Sequence, residues 1–411
     1  MSSDNANGST DVVVTGLGAT TPLGGDVAST WAALLAGESG ISAIEEEWAA
    51  ALPVRIAARL RVEPAEVLDR VQARRLDRCE QIALIAAREA WADAGRPEVE
   101  PQRLAVVIGT GTGGALSMLG QDDILERSGV RRVSPHTVPM LMANGPAAWV
   151  SIELGARGGA HTPVSACASG AEAIAMGLDL IRLGRADVVV AGGTEACIHP
   201  LPLAGFAQAK AHSTRNDAPQ HASRPFDVDR DGFVIGEGAA LVVLERAEFA
   251  AARSARVHAV LAGAGVTSDA HHITAAHPDG QLRAMRLALA SAGLQPLDVG
   301  HVHAHATSTP RGDLTEAESI AEAIGVHPAV TATKSMTGHL FGAAGSLGAI
   351  AAVLALREQV VPATRNLDAL DPGVKLDVVT GRPRRTALHA ALTNAFGFGG
   401  HNASLVFTAA P

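Results

Sequence analysis

The chain alternates short apolar strands with helices along nearly its whole length, and this alternation constrains the fold more than any other feature. The apolar runs 12–14, 105–108 and 188–191 predict buried strands, each is followed closely by glycine, and the glycines at 16 and 18 predict a turn after the first strand. A helix with one apolar side is predicted over 79–94. Strands that alternate with helices imply a mostly parallel sheet in a layered α/β fold.

The second half of the chain repeats the alternation of strands and helices seen in the first. Strands are predicted at 299–307, 329–334, 390–394 and 403–407, with helices at 281–292, 313–324 and 343–357. No proline- or serine-rich linker separates the halves. We therefore predict two fused α/β units that share one core. They are an N-terminal half at 11–260 and a C-terminal half at 261–411, after a disordered polar leader at 1–10.

Composition excludes several classes of protein. The 411 residues are 47% hydrophobic and 18% charged, which is typical of a folded chain with a large core. The formal net charge of −9 and the lack of a long basic run argue against nucleic-acid binding. The polar first ten residues hold no signal peptide, and charged residues or glycines break the apolar runs before they could span a membrane. Three cysteines without metal or disulfide spacing favour a reduced, cytoplasmic location.

Cys167 lies in the segment 162–170, TPVSACASG, which predicts a strand that turns sharply into a helix over 168–183. A thiol at such a turn faces backbone N–H groups and the positive end of the helix dipole, so we expect a lowered thiol pKa and a nucleophile. The alternative is an inert buried residue, which is the common fate of cysteine. We leave Cys79 and Cys197 with that interpretation.

Histidines and a lysine cluster in two further segments, HVHAHATSTP at 301–310 and TKSMTGH at 333–339. His303 and His305 alternate on one strand face, and with His339 they could bind zinc. No H-E-x-x-H motif supplies a water-activating glutamate, and a lone histidine is more often structural. A cysteine, two histidines and Lys334 at strand-end turns together favour nucleophilic catalysis.

Two glycine-rich segments are candidates for ligand binding. The segment 105–114, AVVIGTGTGG, is not followed by Lys-Ser/Thr or by an acidic residue at the end of a next strand, which argues against a phosphate loop. The segment 394–402, NAFGFGGHN, predicts a mobile flap or a close backbone approach to a ligand. Its alternative is a plain hairpin.

At these residues the sequence resembles the elongating β-ketoacyl-acyl carrier protein synthases, the ketosynthase II type, and its motifs are most similar to those of actinobacterial members. The resemblance runs from Val12 to Phe407 and includes STRND at 213–217, SRPFD at 223–227 and RDGFV at 230–234. It implies the α/β thiolase fold, with duplicated βαβαβαββ halves in a five-layer α-β-α-β-α sandwich, usually as a homodimer.

The resemblance also implies the activity, a decarboxylative Claisen condensation for fatty acid elongation. Cys167 would hold the acyl chain as a thioester. His305 and His339 would support decarboxylation of malonyl-acyl carrier protein and stabilise the enolate. Lys334 would hold the charge network around His305, with Glu316 as its partner.

Further roles follow from the same resemblance. The N–H groups of Cys167 and Phe398 would form the oxyanion hole, and Phe398 would gate the acyl chain. Thr307 and Thr309 would contact the pantetheine arm, and Thr274 would lie near the malonyl group. No metal or organic cofactor is implied, because the phosphopantetheine of the acyl carrier protein holds the substrates.

The chain departs from the family pattern at two positions. Thr112 stands where isoleucine often narrows the acyl pocket, so a longer or differently shaped chain is expected to fit. His303 is unusual there and is either structural or alters the charge near His305. The carrier protein is acidic, so basic residues on the family's docking face would bind it: Arg74, Arg75, Arg131, Arg132 and Lys210.

Rival members of the superfamily fit less well. A thiolase would need a second cysteine in 394–402, an initiating synthase would have asparagine for one histidine, and a chain-length factor would lack Cys167. One alternative stays open, a dedicated ketosynthase of a type II polyketide or polyene pathway, paired as a heterodimer with a chain-length factor.

Overall fold

A computed structural model describes residues 11–410, so the predicted leader at 1–10 lies outside the described residues. An 11-stranded mixed sheet organises this part of the chain, and two-stranded ribbons flank it. The strands are β1 Val12–Thr20, β2 Ile41–Ala43, β3 Ile56–Ala58, β4 Leu104–Gly109, β5 Ala160–His161, β6 Val188–Glu195, β7 Gly238–Arg246, β8 Ala259–Ser268, β9 Val299–His303, β10 Ala329–Thr331, β11 Val360–Val361, β12 Asp377–Val378, β13 Arg384–Arg385, β14 Ala390–Gly397 and β15 His401–Ala409.

The helices fall between these strands, as the alternating sequence predicts. They are α1 Val27–Ala36, α2 Pro64–Val67, α3 Arg70–Ala73, α4 Arg78–Asp93, α5 Ala115–Ser128, α6 Thr137–Leu141, α7 Gly145–Leu154, α8 Ser169–Arg182, α9 Pro200–Gln208, α10 Ala247–Ala252, α11 Pro278–Ala292, α12 Pro310–Ala323, α13 Lys334–Thr337 and α14 Ala344–Glu358.

The two halves of the sheet have the same internal order. Outward from the seam, the first half runs β1, β7, β6, β4, β5 and the second runs β8, β15, β14, β9, β10, with β12 added at the edge. In each half the two pairings nearest the seam are antiparallel and the next two are parallel. The halves meet where Val13 and Val14 pair with Val260 and Ala259. This correspondence confirms the predicted duplication.

Helices on both sides of each half-sheet complete five layers. Helices α8 and α14 pack against each other and against the inner faces of both half-sheets. Helix α4 covers the outer face of the first half, and α11 with α12 covers that of the second. The predicted α-β-α-β-α sandwich is therefore confirmed. The division predicted at residue 260 falls within β8 and stays a prediction.

The expectation of a mostly parallel sheet is wrong, because each half is antiparallel near the seam. Strands β14 and β15 are joined by the short connection 397–401, and a connection of that length can only reverse the chain. Strand β7 occupies the equivalent position in the first half and runs antiparallel to both neighbours.

The glycine turn predicted after Val14 is also wrong, because β1 continues to Thr20. Its glycines instead let α4 approach the sheet. A Cβ atom at Gly16 would lie 2.2 Å from the Ala90 carbonyl oxygen, and one at Gly18 would lie 2.0 Å from that of Ala86. These glycines serve helix–sheet packing, which a single sequence does not distinguish from a turn.

The segment Phe341–Glu358, which contains α14, is long and apolar enough to cross a membrane by length and composition. The sequence predicts a helix over 343–357 here and no membrane span. In the structure 89% of this segment is buried. It occupies the middle layer of the sandwich, which is the position of a core helix.

Candidate active site

Cys167 lies in a tight turn at the start of the buried helix α8. A 3₁₀ turn over Ala166–Ala168 precedes the helix, and Ala166 has a left-handed φ of 51°. Gly397 of β14 passes directly against this turn, since a Cβ atom there would lie 2.4 Å from the Ser165 carbonyl oxygen. The strand predicted to lead into the turn is only β5, because residues 162–165 are irregular.

His339 contacts the Cys167 sulfur. Its Nε2 lies 3.0 Å from Cys167 Sγ, and its Nδ1 accepts the N–H of Phe341 at 3.3 Å. Because Nδ1 is an acceptor, the neutral ring carries its proton on Nε2. The imidazole therefore presents an N–H donor to the sulfur and to the space beside it.

His305 lies against His339. The ring centroids are 5.4 Å apart at an interplanar angle of 83°, and His305 Nδ1 is buried without a hydrogen-bond partner in the described part of the chain. The Glu316 carboxylate accepts the backbone N–H groups of His305 and Ala306 at 2.7 and 2.6 Å. Glu316 thus fixes the backbone that places the His305 ring.

Lys334 is the buried cation of the site. Burial lowers its pKa to about 8, and the Glu316 carboxylate opposes this shift. Burial also lowers the pKa of His305 and His339 well below 6.5, and the Lys334 charge lowers both further. Both imidazoles are therefore neutral near pH 7 and can donate hydrogen bonds without carrying charge.

The expectation of a lowered Cys167 pKa is wrong for the free site. Burial raises the pKa of the thiol to about 12, and this outweighs the lowering by the Lys334 charge and by the N–H groups of Phe398 and Cys167. The sequence shows the helix start but not the depth of the sulfur in the protein. In the free protein Cys167 is a thiol held among hydrogen-bond donors.

A cavity of about 760 Å³ reaches Cys167, His305 and His339 from the surface. Its wall includes every residue predicted from the family to contact substrate. These residues are Thr112, Thr274, Thr307, Thr309 and Phe398, with Glu316 deeper inside. The hydroxyls of Thr307 and Thr309 lie 3.1 Å apart, and Phe398 is 44% exposed, as a side chain at an entrance would be.

Sequence reasoning missed Glu195, a fully buried carboxylate in the cavity wall. It accepts the Thr112 hydroxyl at 2.7 Å, the Gly111 N–H at 2.7 Å and the Gly342 N–H at 3.1 Å, and burial raises its pKa. In the sequence, Glu195 could have been recognised as an acidic residue at the end of a predicted buried strand, which is β6 in the structure. Thr112 is therefore tied to a buried acid as well as facing the cavity.

An aromatic group beside the cysteine was missed too. Phe206 and Phe341 stack with centroids 5.4 Å apart, and Phe233 meets both edge-on at 5.1 and 5.6 Å. All three line the cavity. They supply an apolar wall, although aromatics make up only 3% of the chain.

The five predicted docking residues are all exposed, but the structure does not bring them together at the cavity. Lys210 follows α9 and lines the cavity wall. Arg74 and Arg75 follow α3, while Arg131 and Arg132 follow α5, and these arginines do not line the cavity in the described residues. Their docking role stays a prediction.

The zinc alternative finds no support in the geometry. The nitrogens of His303 face threonine hydroxyls, with Nε2 2.8 Å from Thr333 Oγ1 and Nδ1 3.5 Å from Thr393 Oγ1. Within residues 11–410, no group of three or more His, Cys, Asp or Glu side chains is arranged to hold a metal ion.

Comparison with known proteins agrees with this arrangement. The family models for the beta-ketoacyl synthase N-terminal and C-terminal domains match residues 9–250 and 258–368. The chain belongs to the beta-ketoacyl synthase family.

Its similarity to individual proteins extends over nearly the full length. The 3-oxoacyl-acyl-carrier-protein synthase 2 of Mycobacterium tuberculosis is 47% identical over 402 residues, covering 96% of each chain. That of Synechocystis is 45% identical over 404 residues, covering 96% of this chain and 97% of the other. The structure of a beta-ketoacyl synthase from Burkholderia phymatum superimposes with a TM-score of 0.91 at 35% identity, covering 98% of this chain and all of the other. The resemblance seen in the sequence and the thiolase fold are confirmed.

Proposed function

We propose that this chain is a 3-oxoacyl-acyl carrier protein synthase that condenses malonyl-acyl carrier protein with an acyl chain held on Cys167. One observation carries the proposal: the Cys167 sulfur lies 3.0 Å from His339 Nε2, and His305 packs against the same imidazole. A nucleophile beside two neutral donors suits both halves of the reaction. Relatives at 45–47% identity bear this enzyme's name.

In the first half-reaction the Cys167 sulfur attacks the carbonyl carbon of an acyl thioester. The new C–S bond forms as the bond to the carrier's sulfur breaks, and the thiol proton leaves with the carrier thiol. The N–H groups of Cys167 and Phe398, which already face the sulfur, stabilise the oxyanion. The His339 N–H stabilises the sulfur as it becomes anionic.

In the second half-reaction the malonyl thioester loses CO2, and the electrons of that bond form an enolate. The enolate oxygen accepts hydrogen bonds from neutral His305 and His339. Its carbon then attacks the acyl carbonyl, the C–S bond to Cys167 breaks to release the β-ketoacyl product, and the Cys167 thiolate takes a proton from solvent to restore the thiol. The atoms and electrons balance without a metal or an organic cofactor.

The proposed partner is acyl carrier protein, which delivers both substrates on phosphopantetheine. The type II PKS ketosynthase AntDE, solved in complex with its acyl-carrier protein AntF, superimposes with a TM-score of 0.89 at 29% identity, covering 98% of this chain and all of the other. The cavity is lined by the hydroxyls of Thr307 and Thr309, which suit the amides of a pantetheine arm.

A dedicated polyketide ketosynthase is the second candidate. The ishigamide ketosynthase/chain length factor superimposes with a TM-score of 0.90 at 33% identity, covering 98% of this chain and all of the other. The higher identity to fatty acid elongating relatives favours elongation. A cavity wall with Thr112 in place of a larger residue supports the alternative.

We further propose a cytoplasmic homodimer. Exposed apolar side chains on α5, α6 and α7, among them Met118, Val138 and Ile152, suit a subunit interface. A chain-length factor could occupy the same surface in a heterodimer. Light scattering of the purified chain at micromolar concentration should give twice its mass of 41.9 kDa, and a monomer would contradict the homodimer.

The function is tested with purified protein, malonyl-carrier and a series of saturated and unsaturated acyl-carriers, read by mass spectrometry. We expect an acyl adduct on Cys167 and a product two carbons longer than the primer. Cys167→Ala should abolish the adduct, while Cys79→Ala serves as the matched control because Cys79 is fully buried. Acyl loading that persists on Cys167→Ala would contradict the proposal.

A further inference from the structure

His303 is a buried histidine behind the active site that the proposed chemistry does not use. It ends β9, is 1% exposed and does not line the cavity within the described residues. Both ring nitrogens face hydroxyls, Thr333 Oγ1 at 2.8 Å and Thr393 Oγ1 at 3.5 Å. A buried imidazole with a short bond on one nitrogen is fixed in position.

The structure makes room for this ring on the neighbouring helix. A Cβ atom at Gly348 of α14 would lie 2.8 Å from His303 Nδ1, 3.0 Å from its Cε1 and 2.7 Å from Thr393 Oγ1. Any side chain at Gly348 would therefore compete with the imidazole for the same space. The ring fills the gap between β9, β14 and α14.

The short hydrogen bond from His303 is made to the residue that precedes Lys334 in the chain. Thr333 precedes Lys334 at the start of α13, and its hydroxyl does not cap that helix. The bond to His303 is what holds the Thr333 side chain, and the next residue is Lys334. The Lys334 charge acts on His303 as it does on His305 and His339.

We propose that His303 is a positioning residue: its imidazole holds the Thr333–Lys334 turn and keeps water from the space behind the Lys334 ammonium. Burial lowers the pKa of His303 well below its usual value, and the charge of Lys334 lowers it further. This role rests on the proposed function for one of its two measurements, malonyl decarboxylation; the other, alkylation of Cys167, needs no substrate.

Several groups other than His303 face Lys334, and the test must hold them constant. The carboxylates of Glu316 and Asp313 on α12 act on Lys334, and so does Cys167 from the turn before α8. The histidines His305 and His339 feel the Lys334 charge. His301 lies on the same strand as His303 and acts on it. None of these is altered in the variants below, except His301 in the control.

The variants are His303→Ala, which opens a polar space that water can enter, and His303→Gln, whose amide reaches Thr333. Hydration relieves the burial that lowers the Lys334 pKa, so the fall of activity at alkaline pH should move upward by about half a pH unit or more in His303→Ala. Malonyl decarboxylation at pH 7 should fall about tenfold with KM within about twofold, because the lysine loses its fixed position. His303→Gln should restore both.

His301→Ala is the matched control, since His301 lies on the same strand, is fully buried and bonds the Ala329 carbonyl at 2.8 Å. It should destabilise the strand without moving the pH profile. Thr333→Val removes the other partner of the bond without opening a space, so it should reproduce the fall in decarboxylation but not the pH shift, and it serves as the test if His303→Ala fails to fold. An unshifted profile in folded His303→Ala or, failing that, wild-type decarboxylation in Thr333→Val would overturn the proposal.

The second readout separates this proposal from the proposed function. The rate of Cys167 alkylation by iodoacetamide needs no substrate, and the Lys334 charge lowers the Cys167 pKa. Suppose that the wild-type protein does not decarboxylate malonyl-carrier, but that its alkylation rate depends on pH differently from that of His303→Ala. The proposed function is then contradicted and the positioning role of His303 stands. If wild type decarboxylates and His303→Ala matches it in both profiles, the positioning role fails alone.

Discussion

His339 Nε2 lies 3.0 Å from the Cys167 sulfur, while the same ring accepts the Phe341 N–H at Nδ1. These two contacts favour the tautomer with its proton on Nε2, so we expect His339 to donate to the sulfur and not to act as the base that removes its proton. His305 has no such contact with the sulfur, and its Nδ1 is free of hydrogen bonds within residues 11–410. The two histidines are therefore expected to differ in effect.

Replacing each histidine by alanine should separate the half-reactions. His339→Ala should slow both Cys167 acylation and malonyl decarboxylation, because one N–H serves the sulfur and the enolate. His305→Ala should lower decarboxylation by about 100- to 1,000-fold, the usual effect of losing one oxyanion donor, with acylation changed little. Single-turnover acylation and CO2 release measure the two steps. Equal losses of acylation in both variants would contradict the division of roles.

The pH dependence should follow Lys334 and not the histidines. Burial lowers the pKa of Lys334 to about 8, so its charge is present below that pH and lost as the pH rises through it. The pKa values of His305 and His339 lie well below 6.5, so both remain neutral between pH 7 and 6. Condensation should be flat between pH 6 and 7 and fall near pH 8.

Lys334→Met is the control for that profile. Removing the charge takes away the alkaline fall and raises the pKa of both histidines, but burial, the larger cause of their low pKa, remains, so the acidic decline should move only part of the way toward pH 6.5. The measurement is kcat against pH at saturating substrate. A wild-type profile that declines near pH 6.5, where a free histidine titrates, would count against neutral imidazoles.

Thr112→Ile should shift the acyl preference toward shorter chains. The larger side chain occupies cavity space beside Cys167, and each excluded methylene is expected to cost about tenfold or more in kcat/KM. Thr112→Val is the matched control, because it loses the hydroxyl that bonds Glu195 without the added methylene. Competition among acyl-carriers of graded length measures the shift. If Val and Ile give the same profile, the lost hydrogen bond and not the bulk is responsible.

Charge reversal at Arg74 and Arg131 together should weaken carrier docking. Loss of the attraction to an acidic carrier should raise KM for acyl-carrier by about tenfold, given about 0.2–1 kcal/mol for each exposed pair and the added repulsion. Turnover of a short acyl-thioester mimic should not change. Arg382→Glu, which reverses an exposed charge in the other half, is the control. Equal losses on both substrates would point to a folding defect.

The alternation of strands and helices was enough to predict two fused α/β units, because burial on both faces leaves apolar runs such as 105–108 and 188–191 in the sequence. It was not enough to predict strand direction. The antiparallel β14–β15 pair depends on a glycine connection at 397–401. The sequence of this connection is equally compatible with a mobile flap and with a hairpin. Gly16 and Gly18 similarly suggest a turn, although they serve contact with α4.

The sequence by itself determined the chemical inventory: a cysteine at a helix start, His305, His339 and Lys334 at strand ends, and a glycine segment around Phe398. Only the tertiary structure decided how these groups behave, because burial and neighbours set protonation. Cys167 is a thiol whose pKa is raised to about 12. Its 3.0 Å contact joins residues far apart in the chain. Distances and desolvation arise only when the two halves pack together, and no local pattern encodes them.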